Sequence, residues 1–299
     1  MIMQQENESI VNKKVVLLGD SSVGKTSLIR RYVQDVFDDA YIMTIGSKVS
    51  RKEMKILKEG EETKVNLMIW DVLGREGYSS LHSRTFAGVH GAILVSDITR
   101  HETLGTLERY WTPLLFKVVD YIPLVFVCNK TDLTDKAAYD PKEMYDIASK
   151  YTAGFSDELP PDYATNYQTS AKTGKNVNKA FESLSHMMLS KKIPMDPIKE
   201  LYESLIAMGV YRQSDKTTLI GALDAILVDF CEGFDDDRLA MSLIRQETVR
   251  AGIDVRQPSK DGLLKVVEYF AEVEAEYLDE TKVNENRKRR MLWAKDTKE

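Results

Sequence analysis

The eight residues GDSSVGKT at 19–26 satisfy the pattern GxxxxGK[ST], and each residue type in it has a use in holding a phosphate. Gly19 and Gly24 let the backbone pass close to an anion, so that successive amide NH groups and the start of the next helix face it. Lys25 supplies a point charge for the β and γ oxygens. The Thr26 hydroxyl is a hard oxygen ligand of the kind Mg2+ takes. Ser21, Ser22, Val23, Gly24, Lys25, Thr26 and Ser27 are therefore the candidate phosphate contacts. A glycine-punctuated turn is the plain alternative. The flanking residues argue against it, because the apolar run VVLLGD precedes the pattern, and Leu28, Ile29, Tyr32 and Val33 follow it at helical spacing.

Other polar clusters follow apolar runs in the same way. TIG stands at 44–46, WDVLG at 70–74, ILVSDIT at 93–99, NKTD at 129–132 and TSAK at 169–172. In that order the motifs over residues 12–192 resemble the Ras superfamily of small GTPases, nearest in flavour to the Rab type. The resemblance implies roles that the side-chain chemistry supports. The Asp132 carboxylate would accept two hydrogen bonds from guanine N1 and N2, a donor pair that adenine lacks, while Asn129 reaches the N7 and O6 side. Ala171, between Ser170 and Lys172, would give its NH to O6. The Lys130 stem would lie along the base, and Phe37 stands where the family has an aromatic cover. An N-capping Asp132 and a merely buried Phe37 are the plain alternatives.

The resemblance also implies two sensors of the γ-phosphate. Thr44 lies 18 residues after Thr26, in register for a hydroxyl on Mg2+ and an NH on the γ-phosphate, with Tyr41 closing over the phosphates. Asp71 would hold Mg2+ through water, and the Gly74 NH would meet the γ-phosphate because no Cβ obstructs it. The metal set is then Thr26, Thr44 and Asp71, and the catalytic set Lys25, Thr44, Gly74 and Arg75. Here the chain departs from the family's WDTAGQE, reading WDVLGRE. A guanidinium donates and cannot accept, so Arg75 cannot take a hydrogen bond from the attacking water as a Gln carbonyl can. The expectation is a GTP/GDP switch that hydrolyses GTP to GDP and phosphate slowly, with a partner supplying the missing group. Two other readings stay open: Arg75 as an arginine finger in cis, with Glu76 a poor water acceptor, or a surface arginine in a nearly inactive switch. A non-hydrolysing GTP-bound scaffold or interaction protein is the rival of a different class. Protein effectors and regulators of the GAP and GEF types are the implied partners.

The elements that must position these residues are visible as hydrophobic periodicity. GAILVSD (91–97) and PLVFVCN (123–129) read as buried strands, two strand-like pieces flank KEGEET, and YQTSAKTG leads into a helix through Val177, Phe181, Leu184 and Met188. Alternating strands and helices predict an α/β fold of the P-loop NTPase type, a mostly parallel sheet with helices on both faces and one antiparallel hairpin at its edge. The expected division is a flexible N-terminus over 1–11, a Ras-like GTPase domain over 12–192, a linker IPMDP at 193–197, and an all-α bundle over 198–299 ending in a basic tail. Its stripes are Ile198, Leu201, Tyr202 and Leu205; Leu219 to Phe230; Leu239 to Ile244; and Leu263 to Tyr277, with Ser214 and Ser259 placed to cap helices.

At 299 residues, 43% hydrophobic and 29% charged, the chain is long enough for two domains. A net charge of -6 excludes overall attraction to nucleic acid. Residues 195–286 hold 10 Lys and Arg against 20 Asp and Glu, whereas 287–299 hold 6 against 2. The basic RKRRMLW segment is thus either the one route to peripheral membrane contact, or a tail that is solvated or docked on the acidic bundle. Cys128 and Cys231 form no metal or disulfide pattern, which suits the cytoplasm. Ile at position 2 and the ending AKDTKE argue against a lipid anchor, and no apolar run reaches membrane-spanning length. The bundle is expected either to pack as an appendage, on itself or on the GTPase domain, or to contact a switch and report the nucleotide state or bind a protein partner.

Overall fold

The computed structural model describes residues 10–35, 47–58, 61–119, 122–152, 155, 159–190, 216–255 and 257–298. The linker 193–197, the stripe from Ile198 to Leu205 and the Ser214 cap lie outside the described residues. β1 (Ile10–Leu18) is followed by α1 (Lys25–Gln34), the hairpin β2 (Ser47–Lys58) and β3 (Glu61–Val72), α2 (Ser79–Phe86) and β4 (Gly91–Asp97). α3 (His101–Thr106) continues through a π turn (Leu107–Trp111) into α4 (Thr112–Phe116), then come β5 (Leu124–Asn129), a 3-10 turn (Thr131–Lys136), α5 (Pro141–Thr152), β6 (Asn166–Gln168) and α6 (Val177–Met188). The sheet runs β2-β3-β1-β4-β5-β6, with the β2–β3 pair antiparallel and every other pair parallel. The expected edge hairpin is β2–β3, its last pair Lys58 opposite Glu61.

Period-two alternation splits the core into two layers. Val15 and Leu17 of β1, with Val65, Leu67 and Ile69 of β3, meet Leu28 and Ile29 of α1 and Phe181 and Leu184 of α6. Val16 and Leu18, with Trp70 and Val72, face the opposite layer. β4 and β5 are buried along their whole length, as a parallel strand covered on both faces must be.

The second layer does not end at α5. Four C-terminal helices, α7 (Leu219–Cys231), α8 (Asp237–Arg250), α9 (Lys260–Glu274) and α10 (Glu280–Lys295), share one hydrophobic cluster with α2, α4 and α5. Thr218, Ser259 and Asp279 cap α7, α9 and α10 through their side-chain oxygens. α9 stops at Glu274, short of Tyr277.

The basic segment is not a tail. It forms the second half of α10, because the acidic helices beneath it supply partners. Arg287 makes two hydrogen bonds of 2.7 Å to Glu268, and Arg289 pairs with Asp229. Arg290, fully buried, donates to Asp229 Oδ2 at 2.6 Å and Glu274 Oε1 at 2.7 Å. Three of the cations that a membrane reading needs are therefore held by carboxylates. No helix among the described residues is long and apolar enough to cross a membrane.

Candidate functional site

The loop 19–24 closes between β1 and α1 in a shape that only small residues permit. Gly19 has φ 139°, and a Cβ there would lie 2.1 Å from the Val95 carbonyl oxygen. Gly24 has φ 102°, and a Cβ would lie 2.3 Å from Asn129 Nδ2. Ser22 takes the left-handed conformation too, at φ 66°. Lys25 is buried beneath this loop, donating to the carbonyls of Gly19 at 2.6 Å and Asp20 at 2.9 Å. Burial lowers its pKa from 10.5 to about 8, against the pull of Asp71 and Asp20. A polyanion entering the cradle would restore the lysine's full charge.

A second loop pair meets the first at the sheet's carboxyl edge. Asn129 ends β5, its Nδ2 donating to Val23 O at 2.8 Å while its Oδ1 accepts from Thr169 Oγ1 at 3.1 Å and the Ala171 NH at 3.3 Å. Lys130, left-handed at φ 64°, places Nζ 2.5 Å from Asp97 Oδ2. Burial raises the Asp97 pKa, but hydrogen bonds from Lys130 and Thr99 outweigh it and hold the carboxyl below its usual range. Asp132 is exposed and oriented by Ser170 Oγ at 2.6 Å, so its carboxylate has acceptor capacity to spare. Asn129, Asp132, Ser170 and Ala171 are thereby gathered into one hydrogen-bonded group beside the phosphate loop. Lys172 lies on the same loop, and its carbonyl and that of Ala171 both accept from Arg31 of α1, at 2.7 and 2.9 Å.

The end of β3 brings Asp71 to Thr26, whose hydroxyl donates to Asp71 Oδ2 at 2.5 Å. A hydroxyl and a carboxylate in contact are the hard oxygen donors that suit Mg2+, so this pair fits the metal. Gly74 lies against the phosphate loop. A Cβ there would come within 2.3 Å of Lys25 Nζ and 2.6 Å of the Asp20 backbone, and Ser21 Oγ donates to Gly74 O at 2.7 Å. Arg75, half-buried, makes no hydrogen bond or ion pair with the described residues, while the Glu76 carboxylate lies 3.5 Å from Arg109 Nη2. Phe37, Tyr41 and Thr44 lie outside the described residues.

From Tyr78 onward this segment is clasped by the C-terminal helices. Tyr78, fully buried, donates its hydroxyl to Val255 O at 3.0 Å. Asp224 of α7 accepts from the NH groups of Leu81 at 3.1 Å and Ser80 at 3.4 Å, at the N-terminus of α2. Arg84 Nη2, near the other end of α2, donates to Cys231 O at 3.1 Å, at the C-terminus of α7.

Sequence reasoning missed Asp20, Arg31, Asp97, Arg100, Trp111, His82 and Asp224. Asp20 braces the phosphate loop by accepting from Trp111 Nε1 at 2.8 Å and Thr106 Oγ1 at 2.9 Å. Arg100 donates to Ser21 O at 2.8 Å. Asp20 lies inside GDSSVGKT and Asp97 inside ILVSDIT, and Arg100 directly follows the latter. The others carry no local signal, since their partners are distant in sequence.

The sequence model of the Ras family matches residues 14–190. GTP-binding protein ypt5 of Schizosaccharomyces pombe is 33% identical over 192 residues, 64% of this chain and 82% of that protein. Ras-related protein RABD2a of Arabidopsis thaliana is 33% identical over 172 residues, 58% of this chain and 77% of that protein. Ras-related protein Rab-27B of Bos taurus is 29% identical over 185 residues, 60% of this chain and 80% of that protein. Helices α7 to α10 lie beyond the matched family span.

Proposed function

Since the chain belongs to the Ras family of small GTPases, with Rab-type relatives, we propose that it is a slow GTP-hydrolysing switch read by its own C-terminal helices. The reading rests on one observation. The segment from Asp71 to Phe86 touches the phosphate loop at one end, through Thr26 and Ser21, and α7 at the other, through Asp224 and Arg84. A rearrangement of Gly74 on gain or loss of the γ-phosphate is transmitted to the buried face of α7.

Lys25 holds the β and γ oxygens, and the NH groups of the phosphate loop surround them. Thr26 and Asp71, with Thr44, would hold Mg2+, which when bound neutralises charge on the phosphates. Asp132, Asn129 and Ala171 select guanine. Gly74 presents its NH to the γ-phosphate, and Tyr41 and Phe37, outside the described residues, are the side chains assigned to cover phosphates and base. Arg75 brings a donor where an acceptor is needed, and the Glu76 carboxylate is engaged by Arg109, so neither side chain orients the attacking water. Protein effectors and regulators of the GAP and GEF types act on the switch in the cytoplasm, and a regulator supplies the missing acceptor.

Nucleotide content of the purified protein and single-turnover GTP hydrolysis test this together. Bound guanine nucleotide with measurable turnover is expected, and Arg75→Gln accelerates turnover roughly tenfold, about 1.4 kcal/mol of barrier. A large loss in Arg75→Gln makes the arginine catalytic. Bound GTP with no turnover in either protein makes the chain a scaffold.

A further inference from the structure

The peptide joining Leu73 to Gly74 has two polar ends, and the structure shows what secures the first. His82, on α2, places Nε2 2.9 Å from the Leu73 carbonyl oxygen. The ring is 1% exposed, stacked near Phe86 with centroids 6.1 Å apart and tilted against Trp111 at 5.2 Å. A carbonyl only accepts, so Nε2 carries the ring's proton. Burial lowers the His82 pKa to about 3, which keeps the ring neutral with that single donor throughout the working pH range.

A planar trans peptide points its C=O and N–H in opposite directions. With the Leu73 oxygen held on the α2 side, the Gly74 NH is turned away from α2. The next carbonyl, Gly74 O, is held by Ser21 of the phosphate loop. We propose that His82 is a positioning residue that aims the Gly74 NH at the γ-phosphate of bound GTP; this rests on the reading of Gly74 given above.

Two further observations carry it. Among the described residues His82 Nδ1 is buried without a hydrogen-bond partner, so the ring's one bond is the one to Leu73. A leucine would spare that nitrogen but leave the buried Leu73 carbonyl without this donor, so the histidine's single bond is spent on the peptide that carries the Gly74 NH. The Trp111 that abuts the ring also donates to Asp20 of the phosphate loop, and it stands at the end of the π turn, an irregularity often found at functional sites. The donor on α2 and the loop that cradles phosphate are thus set against one another by one indole.

The test compares affinities for GTPγS and GDP in the full chain with Mg2+. His82→Leu loses the donor and keeps the volume, so GTPγS affinity falls about tenfold while GDP affinity stays within about twofold. His82→Gln places an amide nitrogen the same number of bonds from Cα and recovers most of the loss. A merely structural role would lower both affinities and the melting temperature together and would not respond to Gln. An unchanged GTPγS to GDP ratio in His82→Leu, or a Gln variant as impaired as Leu, overturns the assignment. His82→Phe is the second donor-free variant should the leucine protein not fold. Gly74→Ala separates the two layers of inference. A reduced ratio there beside an unchanged His82→Leu overturns only the histidine, whereas an unchanged ratio in Gly74→Ala overturns the Gly74 bond and the histidine with it.

Discussion

Replacing Asp224 with alanine removes the carboxylate that terminates α2 from another part of the chain. The side chain is fully buried, with its oxygens 3.1 Å from the Leu81 NH and 3.4 Å from the Ser80 NH. The shorter contact is a charge-assisted hydrogen bond worth roughly 1.5–3 kcal/mol, and the longer one lies near the limit and adds little. The expected loss is about 2–3 kcal/mol, which includes the charge's interaction with the helix N-terminus. Asp224→Asn keeps an acceptor oxygen and is expected to stay within about 1 kcal/mol of the parent protein. Denaturant unfolding followed by tryptophan fluorescence and circular dichroism reads the global loss, because Trp70 and Trp111 lie on the sheet side and Trp293 on α10. Hydrogen exchange reads it locally: the Leu81 amide of the alanine variant is expected to exchange roughly 30- to 150-fold faster. An alanine variant within about 0.5 kcal/mol of the parent, with Leu81 exchange unchanged, would refute the idea that α7 caps this segment.

Two other perturbations follow from buried cations. Burial lowers the Lys25 pKa to about 8, and a bound phosphate restores its ordinary range. GDP binding therefore takes up a proton above about pH 8, and affinity falls as pH rises through that window. Calorimetry at pH 8.5 in buffers of different ionisation enthalpy should show roughly three-quarters of a proton taken up, and an uptake near zero contradicts the lowered pKa. Arg290→Met leaves Asp229 and Glu274 without their buried cation and should cost about 3–5 kcal/mol in denaturant unfolding. Adding Glu274→Leu should recover part of that loss. A double variant worse than the single one would show that the cation contributes packing rather than charge compensation.

Local pattern carried the sheet domain because its strands and helices announce themselves within a dozen residues. The buried runs at 91–97 and 124–129, the edge hairpin and the helix from Val177 follow from apolar spacing. The phosphate loop is as local, since its conformation depends on two glycines with positive φ and a lysine six residues after the first. That NKTD and TSAK meet was legible because each follows a strand whose end must lie at the same edge of a parallel sheet. The C-terminal third was legible as helices and as an acidic body with a basic end, but that end read as a tail. Its arginines alternate with no apolar stripe to mark a helix face, and what buries Arg290 is a pair of carboxylates supplied by α7 and α9.

By itself, then, the sequence determined which residue types are at hand: the glycines and lysine of GDSSVGKT, the polar clusters NKTD and TSAK, and an arginine at position 75. Tertiary structure alone decided what the segment after β3 packs against. Asp224 meets Leu81 across 143 residues and Tyr78 meets Val255 across 177, and neither residue type nor spacing encodes such a meeting. The two helices find one another by burying apolar surface, which is non-directional. Only after that burial do a carboxylate and a row of backbone NH groups become neighbours with a defined geometry.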